Sequence, residues 1–101
     1  LVVLAAFVSP LKSQRLRIRE VVGENRFMEI YVNTPLEVCE QRDIKGLYKK
    51  ARAGEIAHFT GVSAPYEAPE FPDVTLDTST MNVDQSIEAL KFVLRIRGFQ
   101  L

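Results

Sequence analysis

Eight consecutive apolar residues, Leu1-Val2-Val3-Leu4-Ala5-Ala6-Phe7-Val8, open the chain. A run of that length, rich in Val and Leu, suits a strand buried on both faces. Such a strand needs a neighbour on either side and a covering layer over each face. The run is too short to span a bilayer, which takes about 20 apolar residues. No basic segment precedes it, as a secretion signal would require. Because it starts at the first residue without an initiator Met, the sequence is expected to continue upstream as part of a longer protein.

The rest of the chain alternates in character. Ser9-Pro10 reads as an N-cap and first helical position, followed by a helix over Leu11 to Val22 that Gly23 stops. Phe27 to Asn33 alternates as a strand does. Thr34-Pro35-Leu36-Glu37 has the form of a capping box, opening a helix to about Arg42, and a further helical piece covers Gly46 to Ala53. Ile56 to Pro72 has no steady period and holds Gly61 and three prolines, which marks a long loop of the kind that often serves function. Val74 to Leu76 reads as a short strand. Asn82-Val83-Asp84-Gln85 opens a last helix, with Ile87, Leu90 and Leu94 on its apolar stripe and Gly98 at its end. Strands alternating with helices predict a parallel α/β sheet. Ligands of such sheets bind beyond the carboxyl ends of the strands, where Ser9, Thr34 and Thr78 fall.

Charge and cysteine content narrow the function classes. Thirteen Lys and Arg balance thirteen Asp and Glu, so no global field draws this chain to nucleic acid or an anionic membrane. A single Cys39 excludes an internal disulfide, and with the lone His58 it makes a poor metal site. Cys39 reads as a small buried apolar residue.

Three segments carry a resemblance: Ala6-Phe7-Val8-Ser9-Pro10, then Thr34 to Asp43 with its Cys39-Glu40-Gln41-Arg42-Asp43, then Lys45-Gly46-Leu47-Tyr48-Lys49-Lys50-Ala51-Arg52-Ala53-Gly54-Glu55-Ile56. Phe59-Thr60-Gly61 and Tyr66-Glu67 follow in order. Together they resemble the C-terminal half of the adenylyl-sulfate kinase family, across nearly the whole chain. That family has a P-loop kinase fold, so residues 1–101 are expected to be the C-terminal part of one kinase domain, with a lid loop at about 54–72. The implied reaction moves the γ-phosphoryl of ATP to the 3′-hydroxyl of adenosine 5′-phosphosulfate, giving 3′-phosphoadenylyl sulfate for sulfate assimilation.

The Gly-rich phosphate loop G-x-x-x-x-G-K-[ST] does not occur, since none of Gly23, Gly46, Gly54, Gly61 and Gly98 fits it. The family's Asp-Gly-Asp-Asn motif is also absent. Both lie upstream in this family, so the resemblance places the Mg²⁺ site there and implies that these residues alone are inactive. It further implies ATP and adenosine 5′-phosphosulfate as partners, with no nucleic acid and no membrane. A cytoplasmic or, in a plant, plastid location fits it, as do a homodimer and a fusion to or association with ATP sulfurylase. The rival readings are another small P-loop kinase and a non-catalytic interaction fragment.

Each candidate residue has a plain and a functional reading. Ser9 is a helix N-cap, or the serine that the family assigns as a phosphoserine intermediate. Direct in-line transfer is the competing route and needs no covalent step. By resemblance Val8, Ser9, Lys45, His58 and Phe59 contact adenosine 5′-phosphosulfate. Arg42 serves the dipole of its helix or stacks on the ATP adenine. Lys49 and Arg52 form a solvated helix face, or close over the transferring phosphoryl as lid cations. By the same resemblance Met81, after the last strand, is expected to line the adenine pocket. Phe59 stacks on the purine or anchors its loop. His58 departs, with Ala57, from the family's commoner Lys-Asn, and Ser63 departs from its usual Asp. Arg15 and Arg19, one turn apart, read as surface charges or ion-pair partners that match family arginines.

Overall fold

The computed structural model describes residues 1–99. Two strands, β1 (Ile30–Val32) and β2 (Val74–Leu76), pair in parallel with Ile30 opposite Val74 and Val32 opposite Leu76. Four helices accompany them: α1 (Lys12–Val22), α2 (Leu36–Arg42), α3 (Leu47–Arg52) and α4 (Val83–Ile96). The parallel α/β architecture read from the alternation is the one observed. A parallel pair needs a crossover, and here α2, α3 and the long loop supply it. Among the described residues, no helix is long and apolar enough to cross a membrane.

The core sits around β2. Val74, Leu76 and Ala51 are buried, and α4 packs on β2. α4 is the best-specified element because its signals are local. Asn82 accepts from the Gln85 amide while the Gln85 side chain accepts from the Asn82 amide, completing the box. At the other end Gly98 takes φ +84°. Its N–H donates to the Arg95 carbonyl, and that of Phe99 to the Leu94 carbonyl. This is the left-handed helix stop for which glycine is favoured.

Three local expectations are corrected. Leu1 to Val8 forms no strand, and Phe7 and Val8 stay 82% and 64% exposed. A doubly buried strand needs neighbours on both sides, and the described residues offer it none. The radius of gyration, 15.3 Å, exceeds the roughly 13 Å of a compact chain of this length. Ser9 does not cap α1, whose N-cap is Leu11 with no side-chain bond. Thr34 does not cap α2 either, because its hydroxyl faces Thr78 instead.

β1 is also shorter than the alternating stretch from Phe27. The Glu29 N–H donates to the Asp73 carboxylate at 2.7 Å, so a side chain replaces the backbone acceptor there, while the Glu29 carbonyl still accepts from the Asp73 and Val74 amides. Asp73 in turn accepts from Arg97 at 2.8 Å and lies 3.6 Å from Arg19. The Arg19 guanidinium covers the Phe27 ring at 4.8 Å.

Candidate functional site: two clefts beyond the strand ends

The carboxyl ends of β1 and β2 are tied by side chains. The Thr34 and Thr78 hydroxyl oxygens lie 2.6 Å apart, and the Thr78 N–H donates to Thr34 Oγ1 at 3.1 Å. Arg42, from the end of α2, donates to Thr78 Oγ1 at 2.7 Å and to the Thr78 carbonyl at 2.8 Å. Arg42 therefore bridges a helix end to a strand end. The helix-dipole reading does not account for that contact.

A cleft of about 560 Å³ opens beyond β1. Val8, Tyr31, Leu36, Tyr48, His58, Phe59 and Tyr66 are among its lining residues, drawn from four separate stretches of chain. The Tyr31 and Tyr66 rings stack with centroids 6.2 Å apart, and Tyr48 meets Phe59 edge-on at 5.0 Å. Burial raises the phenol pKa of both Tyr48 and Tyr66. Cys39 adds to the rise at Tyr48, while the Arg15 charge opposes it at Tyr66. Both phenols are therefore neutral hydrogen-bonding groups at pH 7. Flat apolar rings with polar rims suit a planar heterocycle carrying polar substituents.

A second, more open cleft of about 320 Å³ lies alongside, lined by Cys39, Arg42, Lys45, Tyr48 and Phe59 among others. Cys39, Tyr48 and Phe59 border both clefts. Cys39 is half-buried rather than buried. The wall shared with α3 is set by Asp43. Its carboxylate accepts the Tyr48 and Lys49 N–H groups at 2.9 and 3.0 Å and so caps α3 from three residues before Gly46. Lys45 sits on this turn, exposed.

The loop over the larger cleft has a bonded tip and an anchored end. The Phe59 carbonyl accepts from the amides of Val62, Ser63 and Ala64, and Ser63 Oγ accepts the Phe59 N–H at 2.8 Å. The Ser63 hydroxyl thus closes the turn back onto the residue four positions before it. Gly61 has φ +87°, and a Cβ there would lie 3.3 Å from Leu36 Cδ1. His58 has φ +54°, left-handed for a residue with a side chain. At the far end, Glu67 N–H donates to the Pro10 carbonyl at 2.8 Å, and the Lys12 N–H donates to Glu67 Oε1 at 2.8 Å.

The predicted site residues are thus only partly gathered. Val8, His58 and Phe59 line the larger cleft, and Arg42 and Lys45 share the smaller one. Ser9 adjoins Val8 at a left-handed turn, φ +42°. Lys49, Arg52 and Met81 line neither cleft, and Arg52 pairs with Glu40 at 2.5 Å. Neither Tyr31 nor Tyr66 carries a site role in the sequence reading. Tyr66 belongs to the Tyr66-Glu67 pair of the resemblance, whereas Tyr31 is marked only by the aromatic content of β1, which has no fixed spacing. Arg15 was read as a surface charge or ion-pair partner. It is an ion-pair partner, 3.5 Å from Glu29, but its side chain is only 11% exposed. Among the described residues, no group of three or more His, Cys, Asp or Glu is placed to hold a metal ion. These residues do not fit a Mg²⁺ site.

The sequence profile of the family described as Adenylylsulphate kinase matches residues 1–77. The adenylyl-sulfate kinase of Marinobacter nauticus is 50% identical over 97 residues, covering 96% of this chain and 49% of that protein. That of Prochlorococcus marinus is 56% identical over 87 residues, covering 86% and 43%. The chain thus spans about half the length of the curated relatives it matches. The structure of the Mycobacterium tuberculosis APS kinase CysC in complex with AMPPNP and APS superposes with a TM-score of 0.81. It is 43% identical, covering 86% of this chain and 51% of that one. Sequence and fold agree, and the chain belongs to the adenylylsulphate kinase family.

Proposed function

We propose that this chain supplies the acceptor-nucleotide side of an adenylyl-sulfate kinase. The reaction transfers the γ-phosphoryl of ATP to the 3′-hydroxyl of adenosine 5′-phosphosulfate, whose proton is lost as the new P–O bond forms. The observation that carries the reading is the larger cleft. Val8 lies far from His58 and Phe59 in sequence, yet they meet there beside three tyrosines. In this reading the adenine lies against the Phe59 ring. The sulfate end reaches Val8 and Ser9, and Lys45 contributes charge from the neighbouring cleft.

Ser9 acts as a binding residue in this reading. An activated serine needs a base within hydrogen-bond reach. The Ser9 hydroxyl has no hydrogen-bonded His or carboxylate among the described residues. In-line transfer, with no phosphoserine, is the simpler route. His58 contributes its backbone, since φ +54° is the feature its position requires and its side chain is exposed.

ATP is the phosphoryl donor. Arg42 and Met81 flank the end of β2, where the adenine of ATP would lie. Lys49 and Arg52 are the lid cations, and Arg52 must leave Glu40 to act. The segment free to close is residues 54–66, because Glu67 is bonded to Pro10 and Lys12. A closing loop excludes water and brings charge to the transferring group. The phosphate-cradling loop is absent from these 101 residues, so alone they bind but do not catalyse.

The test is an acceptor panel with the protein joined to a family-type phosphate-loop half. Adenosine 5′-phosphosulfate is offered beside AMP, GMP and a sugar acid. ATP-dependent 3′-phosphorylation of adenosine 5′-phosphosulfate alone is expected. Equal or preferred use of another acceptor would replace the reading with a different small-molecule kinase.

A further inference from the structure

We infer that Arg15 is a positioning residue that sets the width of the acceptor-nucleotide cleft by holding its two facing walls at one guanidinium. The inference rests on the proposed acceptor site. Arg15 Nη1 donates to the Ser9 carbonyl at 2.6 Å, and Nη2 donates to the Glu67 carbonyl. Ser9 directly follows Val8, and Glu67 directly follows Tyr66. Val8 and Tyr66 both line the larger cleft. One planar fork therefore spans the residues next to two cleft walls that are 58 positions apart in sequence. Its remaining faces are also committed. Nε lies 3.5 Å from Glu29 Oε2, and the guanidinium carbon lies 5.7 Å from the Tyr66 ring centre.

The geometry explains why a surface reading of Arg15 fails. An exposed arginine adds little through a lone ion pair. Here the ion pair with Glu29 orients the fork, and the work is done by the two carbonyls. Ser9 stands at φ +42°, a strained conformation outside glycine that persists only where neighbours over-determine it. The bond from Arg15 to the Ser9 carbonyl is one such constraint. The bond from the Glu67 N–H to the Pro10 carbonyl, with that from the Lys12 N–H to the Glu67 carboxylate, closes the same tie from the other side. A lysine has the charge but not the fixed fork that meets two carbonyls at once.

The clefts predict which substrate should feel a change. Arg15 is bonded beside the larger cleft, away from Arg42 and Met81 at the end of β2. Arg15→Lys is therefore expected to raise KM for adenosine 5′-phosphosulfate about tenfold, the effect of losing one charge-assisted hydrogen bond. KM for ATP should stay within about twofold of the unsubstituted protein, and kcat should change far less than KM. The backbone amide of Glu67 should exchange faster in the same variant. Glu29→Gln, which leaves the fork in place but unoriented, should give a smaller rise confined to the same substrate. Arg17→Lys, on the solvent side of α1, serves as the control.

The measurement uses the protein joined to a family-type phosphate-loop half, with initial rates against each substrate and amide exchange followed by NMR. Unchanged KM for adenosine 5′-phosphosulfate in Arg15→Lys would overturn the inference. So would equal losses for both substrates accompanied by a lowered thermal midpoint, since that is a stability role alone. If Arg15→Lys does not fold, Glu29→Gln decides between the same two outcomes. Failure of the proposed function looks different. The unsubstituted protein would then not use adenosine 5′-phosphosulfate, while Glu67 exchange would still report the tie.

Discussion

The hydroxyl of Thr34 lies 2.6 Å from that of Thr78, joining the carboxyl ends of the two parallel strands across 44 positions of sequence. Thr34 Oγ1 also accepts the Thr78 amide, so one side chain continues the sheet for a further residue. Thr34→Val keeps the shape and removes the acceptor, leaving the half-buried Thr78 amide unpaired while the Thr78 hydroxyl keeps its bond from Arg42. A loss of about 1–3 kcal/mol is expected, read from urea denaturation midpoints of the protein. A midpoint equal to the unsubstituted value would mean that water replaces the Thr34 oxygen at no cost.

Arg42 and Lys45 border one cleft but are assigned to different nucleotides. Lys45→Ala should weaken use of adenosine 5′-phosphosulfate about 10- to 100-fold, the range for a lost charged contact of roughly 1.5–3 kcal/mol. Arg42→Ala should weaken use of ATP. It should also lower stability, because Arg42 holds Thr78 through two hydrogen bonds. Steady-state kinetics against each substrate separates the two. If both substitutions alter ATP alone, the assignment of Lys45 is wrong.

His58 carries left-handed strain at φ +54°. Asparagine and glycine adopt that conformation more readily. His58→Gly should leave nucleotide affinity unchanged if the backbone makes the contact, whereas His58→Val should weaken it, since a β-branched residue resists the conformation. Titration calorimetry with adenosine 5′-phosphosulfate measures both. A large loss in His58→Gly with normal folding would point instead to the imidazole.

Asp77 accepts from both the hydroxyl and the amide of Ser79. Those bonds favour the carboxylate and lower its pKa from the ordinary 3.8. A group lowered on folding contributes its stability above the unfolded value and loses it as pH falls through the folded one. The turn from β2 into α4 should therefore hold at mildly acidic pH and loosen only below 3.8. The Ser79 amide shift, followed by NMR against pH, should titrate below that value. A midpoint at or above it would show that the bonds are not formed in solution.

These particulars also mark what the sequence made legible. α4 was readable at both ends because Asn82, Gln85 and Gly98 act on atoms within a few residues of themselves. Val74–Leu76 and the parallel α/β order were readable because period and alternation report burial. The same cues failed at Thr34 and Ser9, whose local capping pattern lost to Thr78 and to the Arg15 fork. Asp43 was seen as the end of a motif, yet its carboxylate starts the next helix. The cleft itself was half legible. The resemblance pointed to Val8, His58 and Phe59, but Tyr31, Tyr66 and Arg15 join them only through contacts between distant stretches. No periodic signal encodes such contacts.

In the proposed function the cleft under the loop receives adenosine 5′-phosphosulfate and the loop closes over it. Hydrogen exchange of the amides from Ala57 to Ser63 tests this most directly, in the protein joined to a family-type phosphate-loop half, with and without that nucleotide and an ATP analogue. The tip is tied to itself through the Phe59 carbonyl, Gly54 takes φ +80° at the start of the segment, and Glu67 is anchored at its end. A segment that buries little apolar surface opens easily when empty. The account predicts fast exchange without ligand and marked slowing when both nucleotides bind. Equal protection in the two states would contradict it, leaving a fixed loop beside a cleft that does not receive the acceptor.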